Sequence, residues 1–312
     1  MKNIKDKKTL YKILRLYYRD NLTQSKIAKR LNLTRIKVAR YLYYARDNNM
    51  IEVKLDIPEG DYSELENKIE NTYKLKECRI APTFGKEVET YKYMGRELSD
   101  ILEKILESGN YLGISWSKTL LNVSEYIDMK KRSGANIVPI VGGVEVEGNE
   151  TNINFIVRSF SERLGGKGYY INAPAVVDNK NAKKIMEEDS NTKRIIDLTK
   201  NISSVVTGIG NINSEASLFK SGYFKKEEID FLDSLGVIGS INLDLINKDG
   251  KQVKSKIDDR IIKIFPLERL KKVENIIGIA LGKDKVDSIK ASLGNIINIF
   301  ITDESTAKRL VK

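Results

Sequence analysis

The chain has 312 residues, 41% hydrophobic and 31% charged, the size and balance of a globular protein with room for one large domain and one small one. It contains a single cysteine, Cys78, and no histidine, which excludes a disulfide framework, Cys/His zinc sites, Cys–His nucleophiles and histidine acid–base chemistry. The net charge of +11 is concentrated at one end: residues 1–50 hold fourteen Lys and Arg against three Asp, and in the remaining 262 residues forty basic groups are matched by forty acidic ones.

A basic terminal module joined to a neutral body is the pattern expected where one end meets a polyanion. In that module Leu10, Ile13, Leu14 and Tyr17 recur at helical spacing, predicting an amphipathic helix over about residues 5–19 that Asp20-Asn21 breaks. Thr23 caps a second short helix with Ile27, Ala28 and Leu31 on one face. Thr34 caps a third, running to about Asn48 with Val38, Leu42 and Ala45 turned inward. The spacing is that of a helix-turn-helix. Counted from Gln24, the fifth residue, Ala28, is small, so a second helix can cross closely. The ninth, Asn32, tolerates the left-handed backbone of a tight turn, and the tenth and fifteenth, Leu33 and Val38, pack the pair.

Candidate DNA contacts are Gln24, which opens the first helix of the pair, and Thr34, Arg35, Lys37 and Arg40, on the first turns of the second. Arg35 and Arg40 are expected to reach bases, and Lys26 and Lys29 phosphates. The plainer alternative is a helical hairpin with a solvated charged face. Ile51–Ile57 alternates like a strand and would be a wing or a connector. Pro58 and Gly60 close the module, and Tyr62–Tyr73 reads as a linker helix. The expected division is therefore 1–57 for DNA binding, 58–76 as linker, and 77–312 for effector binding and oligomerisation.

From Cys78 onward short apolar runs alternate with helical patterns. Strands are predicted at Cys78–Pro82, Tyr111–Ser115, Ile137–Val141, Gly168–Ile171, Val205–Ile209, Val237–Leu245, Ile276–Leu281 and Ile296–Ile301. Helices are predicted at Tyr91–Leu106, Ile153–Leu164, Lys225–Leu235, Lys285–Leu293 and Ser305–Val311. This alternation predicts a doubly wound α/β domain with a largely parallel sheet, and Asn247–Gly250 reads as a hairpin turn that makes part of the sheet antiparallel.

In such sheets ligands bind beyond the carboxyl ends of the strands. Four predicted strands end in glycine or hydroxyl residues: Ser115, Trp116, Ser117, Lys118 and Thr119 after the second, Gly142-Gly143 after the third, Gly208 and Gly210 around the end of the fifth, and Gly282 ahead of Lys285. Ser115, Ser117, Lys118 and Thr119 suit a phosphate at the start of a helix, with Lys285 as a second positive charge and Asn152 on the body of a sugar. Each glycine alone is as readily explained by turn chemistry. Trp116 is either a core anchor or a pocket wall. Glu145, Glu147 and Glu150 are the clustered carboxylates near this edge, and a solvated acidic loop accounts for them.

Taken together these residues resemble the SorC family of sugar-binding bacterial transcriptional regulators, over nearly the whole chain. The resemblance is carried by Leu16-Tyr17-Tyr18 followed by Gln24–Ala28, by Gly113–Thr119, and by Ala173–Asp178. Gly208-Ile209-Gly210, Ser217–Tyr223, Asp258-Asp259-Arg260 and Thr302–Ala307 complete it. It implies a phosphosugar isomerase-like effector domain, tetramers on operator DNA, and a phosphorylated sugar as inducer. A dimer or tetramer is expected in any case because one helix-turn-helix covers only a half-site, and a repressor is the expected sign of regulation. The sequence departs from the family pattern at Val141, where some members carry a basic residue, at Ser240 in place of an Asp, at Leu245-Ile246 in place of an aromatic pair, and at Leu281 in place of a glycine. The lysine of the late helix is kept as Lys285.

No catalytic residue, metal or cofactor is expected. Two other readings stay open at this stage: a phosphosugar isomerase-like enzyme with a fused DNA-binding module, and a DNA-binding protein whose body only oligomerises. No apolar run approaches the ~20 residues that cross a bilayer, and the N-terminal residues lack a signal-peptide core, so no membrane partner and a cytoplasmic location are expected.

Overall fold

A computed structural model of the chain describes residues 6–48, 50–51, 60–144, 152–212 and 224–312. The chain divides into two compact units, Met1–Glu59 and Gly60–Lys312.

The smaller unit is helical. Helix α1 (Lys7–Leu14) starts where the Asp6 carboxylate accepts the Thr9 N–H at 3.0 Å, and it runs into a single π-helical turn over Arg15–Arg19. The amphipathic stretch predicted as one helix thus widens in its last turn. Helices α2 (Gln24–Arg30) and α3 (Arg35–Asp47) follow, each capped as expected: the Thr23 hydroxyl accepts from Lys26 N–H and the Thr34 hydroxyl from Lys37 N–H at 3.2 Å. Between them Asn32 has φ +52°, the left-handed turn that its place in the motif requires. Leu10, Ile13, Ile27, Val38 and Ala45 are fully or almost fully buried at the centre, with Ala28 beneath the crossing of α2 and α3. The predicted strand Ile51–Ile57 lies, after its first residue, outside the described residues.

The larger unit opens with α4 (Ser63–Tyr73). The sequence reading makes this helix a linker; here it packs as part of the unit. Ile69 is fully buried, and the Glu66 and Glu70 carboxylates accept the N–H groups of Ile80 and Cys78 in the first strand. The main sheet has seven strands: β1 (Glu77–Ala81), β2 (Tyr111–Ile114), β3 (Asn136–Pro139), β4 (Lys167–Gly168), β5 (Ile202–Gly208), β9 (Asn275–Ile279) and β10 (Ile299–Asp303). Their order is β1-β10-β9-β5-β2-β3-β4, and every pairing is parallel. Such a sheet needs both faces covered. Helices α4, α5 (Glu87–Ile105), α6 (Lys118–Ser124), α7 (Ile153–Leu164), α9 (Ser190–Leu198) and α13 (Glu304–Leu310) pack on it. Helix α8 (Lys180–Glu188), with none of its residues buried, lies against α9. Helices α10 (Lys226–Ser234) and α12 (Val286–Ser292) pack on a smaller second sheet, and α11 (Leu267–Leu270) buries Leu267 and Leu270 in the core. Two hydrophobic clusters result, one around Met94, Leu112, Ile156 and Phe160, the other around Cys78, Val205, Ile276 and Phe300.

A second, antiparallel sheet consists of β6 (Gly210–Asn211), β7 (Val237–Ile241) and β8 (Asp244–Asn247). The single strand predicted over Val237–Leu245 is therefore a hairpin. Its turn is Asn242-Leu243, at φ +53° and +63°. Asn242 is fixed there because its amide oxygen accepts the Ser115 hydroxyl and its amide nitrogen donates to the Phe265 carbonyl at 2.6 Å. The turn expected at Asn247–Gly250 is also present, organised by the Asn247 side chain accepting from Asp249 and Lys251 N–H. The strand predicted over Gly168–Ile171 stops after Gly168. Beyond it the Asn154 side chain, rather than a neighbouring strand, bonds both the N–H and the carbonyl of Ile171.

Along the chain, β2, β3 and β4 step outward in one direction, and β5, β9 and β10 in the other. The order of the sheet reverses between β2 and β5, the place where open α/β sheets leave a crevice at their carboxyl edge.

Candidate functional site

That crevice exists. β2 ends at Ile114 and the chain turns through Ser115, Trp116 and Ser117 into α6, while the neighbouring β5 ends at Gly208. The two backbones come so close that a Cβ on residue 208 would lie 2.5 Å from the Ser117 side chain. Below them is a cavity of about 130 Å³. Its lining includes Ser115–Thr119, Gly208 and Gly210 from this edge, Ser240 and Asn242 from the hairpin, and Asp284 and Lys285 from the turn before α12.

Ser115 and Thr119 are buried, Trp116 is half-buried and packs on the larger hydrophobic cluster, and Lys118 is exposed. The Ser117 hydroxyl caps α6 by accepting the Leu120 N–H. Among the described residues the Lys285 ammonium has no hydrogen-bond or ion-pair partner. Burial holds it below the ordinary lysine range, and Asp284 and Glu87 pull the other way. Beside it the Asp284 carboxylate is held by the Asn211 side chain, whose amide donates at 2.7 Å.

Eight of the eleven expected effector-site residues therefore meet in one place: Ser115, Trp116, Ser117, Lys118, Thr119, Gly208, Gly210 and Lys285. Gly142, Gly143 and Asn152 do not join them. A Cβ on Gly142 would sit 2.4 Å from the Pro174 carbonyl oxygen, so this glycine serves close backbone packing. Gly143 pairs with the 173–175 backbone, and Asn152 caps α7 by accepting the Asn154 N–H; the two line a separate, more open cavity with Asn154 and Asn172. The sequence reading missed Asn211, Asn242 and Asp284. An asparagine that ends a strand of two residues, and another in a hairpin turn concealed within an apolar run, give no periodic signal. Glu145, Glu147, Glu150 and Ser217–Tyr223 lie outside the described residues.

In the smaller unit, Thr34, Arg35, Lys37 and Arg40 are all exposed at the start of α3, and Gln24 is half-buried. Gln24 and Arg35 share a shallow depression with Tyr17, Tyr18 and Thr23. Lys26 and Lys29 are exposed on α2. The Thr34 hydroxyl is occupied by its capping bond to Lys37 N–H.

The chain resembles known proteins over most of its length. A family model described as "Putative sugar-binding domain" matches residues 59–312. The deoxyribonucleoside regulator of Bacillus subtilis (strain 168) is 30% identical over 300 residues, covering 95% of each chain. The sorbitol operon regulator of Klebsiella pneumoniae is 26% identical over 316 residues, covering all of both chains. The crystal structure of that full-length regulator, SorC, superimposes with a TM-score of 0.76 at 24% identity, covering 97% of this chain and 98% of its own.

Proposed function

The chain belongs to the SorC family of sugar-binding transcriptional regulators, and on that footing we propose that it is a repressor released from operator DNA by a phosphorylated sugar. Residues 1–59 bind the operator, and Gly60–Lys312 bind the effector and assemble the protein as a dimer or tetramer, since one helix-turn-helix covers only a half-site. Its relatives are regulators rather than enzymes, and no catalytic step is assigned to it.

The observation that carries the phosphate reading is Lys285: a cation without a partner among the described residues, kept partly out of water, beside a floor of hydroxyl groups. A charge left in that condition is costly until an anion meets it. Thr119 and Lys118 supply further donors, and the Ser115 hydroxyl, which donates to Asn242, is left as an acceptor. Asp284, tethered by Asn211, accepts hydroxyl groups of the sugar body. The names of relatives that regulate deoxyribonucleoside and sorbitol genes support a sugar or sugar alcohol skeleton.

Titration calorimetry of the full-length protein with pentose and hexose phosphates, the free sugars and inorganic phosphate tests this. Heat is expected from one phosphorylated sugar and little from its free form, and the double variant Thr119→Ala/Lys285→Ala should lose it while still binding DNA. Equal affinity in both proteins would place the phosphate elsewhere. No heat from any sugar phosphate would favour a body that only oligomerises, and turnover of one of them would favour the enzyme.

A further inference from the structure

The outward face of α3 centres on Ile36, whose side chain is 82% exposed. The helix buries Val38, Tyr41, Leu42 and Ala45. With 3.6 residues per turn, Ile36, Arg40 and Tyr43 fall opposite that stripe, and Arg35 and Lys37 lie on its two flanks. Tyr43 is 59% exposed and Arg40 is exposed as well. A single exposed isoleucine is ordinarily unremarked. This one stands in the first turn of the second helix of a helix-turn-helix, between two exposed cations, within the first fifty residues, which hold all the excess positive charge of the chain. Among the described residues of the smaller unit none in its hydrophobic cluster packs on it, and a β-branched residue adds no helix propensity there. Its isolation among cations is suited to an occupant that is negatively charged at its rim and apolar at one spot inside, which describes the major groove of DNA. The only apolar group on a base edge in that groove is the C5-methyl of thymine.

We infer that Ile36 reads a thymine methyl group in each half-site, with Arg40 one turn further along the same face fixing a neighbouring guanine. The inference rests on the operator-binding reading and deepens it: Arg35, on the flank, becomes a contact to the rim of the groove, and specificity passes to the Ile36–Arg40 stripe. The partner is a duplex with a thymine at a fixed position.

The test uses full-length protein to select duplexes from a random-sequence pool, first wild type and then Ile36→Ser. The wild-type consensus should carry a thymine at a fixed position in each half-site, and Ile36→Ser should lose that preference while keeping the rest. A synthetic consensus duplex with deoxyuridine at that position lacks only the methyl group. It should bind wild type roughly fourfold more weakly, the worth of one buried methyl, and should bind Ile36→Ser as well as the thymine duplex does. Since Ile36 is exposed, circular dichroism of the variant should match wild type. A consensus in which no thymine-to-uracil change weakens wild-type binding would overturn the assignment, as would an Ile36→Ser consensus identical to wild type. Failure to enrich any sequence would instead overturn the operator-binding reading beneath it.

Discussion

Two side chains in the larger unit show what burial does to an ionisable group. Lys285 is depressed by desolvation, so the ligand-free protein bears a cost for keeping it charged at neutral pH. Its folded-state pKa lies below the 10.5 of a free lysine, hence the unfolded chain binds more protons between those two values and stability rises with pH through that window. Lys285→Met should therefore raise the melting temperature of the ligand-free protein and abolish the shift caused by a sugar phosphate. An anion seated beside Lys285 opposes the penalty, so binding at a pH where the lysine is partly deprotonated should take up protons. Calorimetry in buffers of different ionisation enthalpy reads that uptake, and Lys285→Met should remove it. Cys78 is the opposite case. Burial pushes its thiol up, and Glu66 and Glu70 add to the effect, so almost no thiolate forms. Ellman's reagent should leave native protein unmodified and titrate one thiol in denaturant; rapid labelling of native protein would mean that α4 opens readily from β1.

At the scale of elements, the antiparallel hairpin depends on a buried carboxylate. Asp244 at the start of β8 is fully buried and is met by Lys263 at 2.5 Å, Gln252 at 2.8 Å and the Leu267 N–H at 2.9 Å. Asp244→Ala takes the acceptor from the buried Leu267 N–H and from Gln252 and leaves Lys263 only its pair with Asp258 at 3.3 Å, so it should cost roughly 1–3 kcal/mol in chemical denaturation. Because Asn242 in the same hairpin contacts Ser115, the variant should also weaken effector binding. This hairpin marks the boundary of what could be read in the sequence. The helix-turn-helix was legible to the residue, because Thr23, Ala28, Asn32, Thr34 and Val38 act through local capping, turn and packing rules. The parallel strands were legible because apolar runs bounded by glycine carry their own signal. The Asn242-Leu243 turn was not, since its left-handed backbone is sustained by Ser115 and Phe265, distant in sequence. The two-helix segment α8 and α9 escaped for another reason: the apolar stripe of α8, Ala182, Ile185 and Met186, is short and surrounded by charge, and the helix buries none of its residues. At the candidate site, the residues following β2 and β5, legible because strand ends are predictable, line one cavity, whereas Gly142-Gly143, conspicuous as a motif, lies apart from it, with Gly142 packed against Pro174.

At the scale of the whole molecule, charge and ligand chemistry are divided between the two units. The surplus of eleven positive charges lies within the first fifty residues, and the neutral body contains the cavity with Lys285. Deleting residues 1–59 should abolish DNA affinity and leave sugar-phosphate binding intact. Affinity of the full chain for DNA should fall steeply with salt, because each neutralised phosphate releases a counterion. The two binding events must be coupled, and reciprocally: an effector that weakens operator binding is itself bound less tightly by the operator complex. The most direct measurement is a mobility-shift titration of full-length protein on the DNA upstream of its own gene, repeated across the panel of sugar phosphates. The expected result is a retarded complex that one sugar phosphate dissolves and that Thr119→Ala/Lys285→Ala holds together. A complex that no sugar phosphate alters would contradict the account.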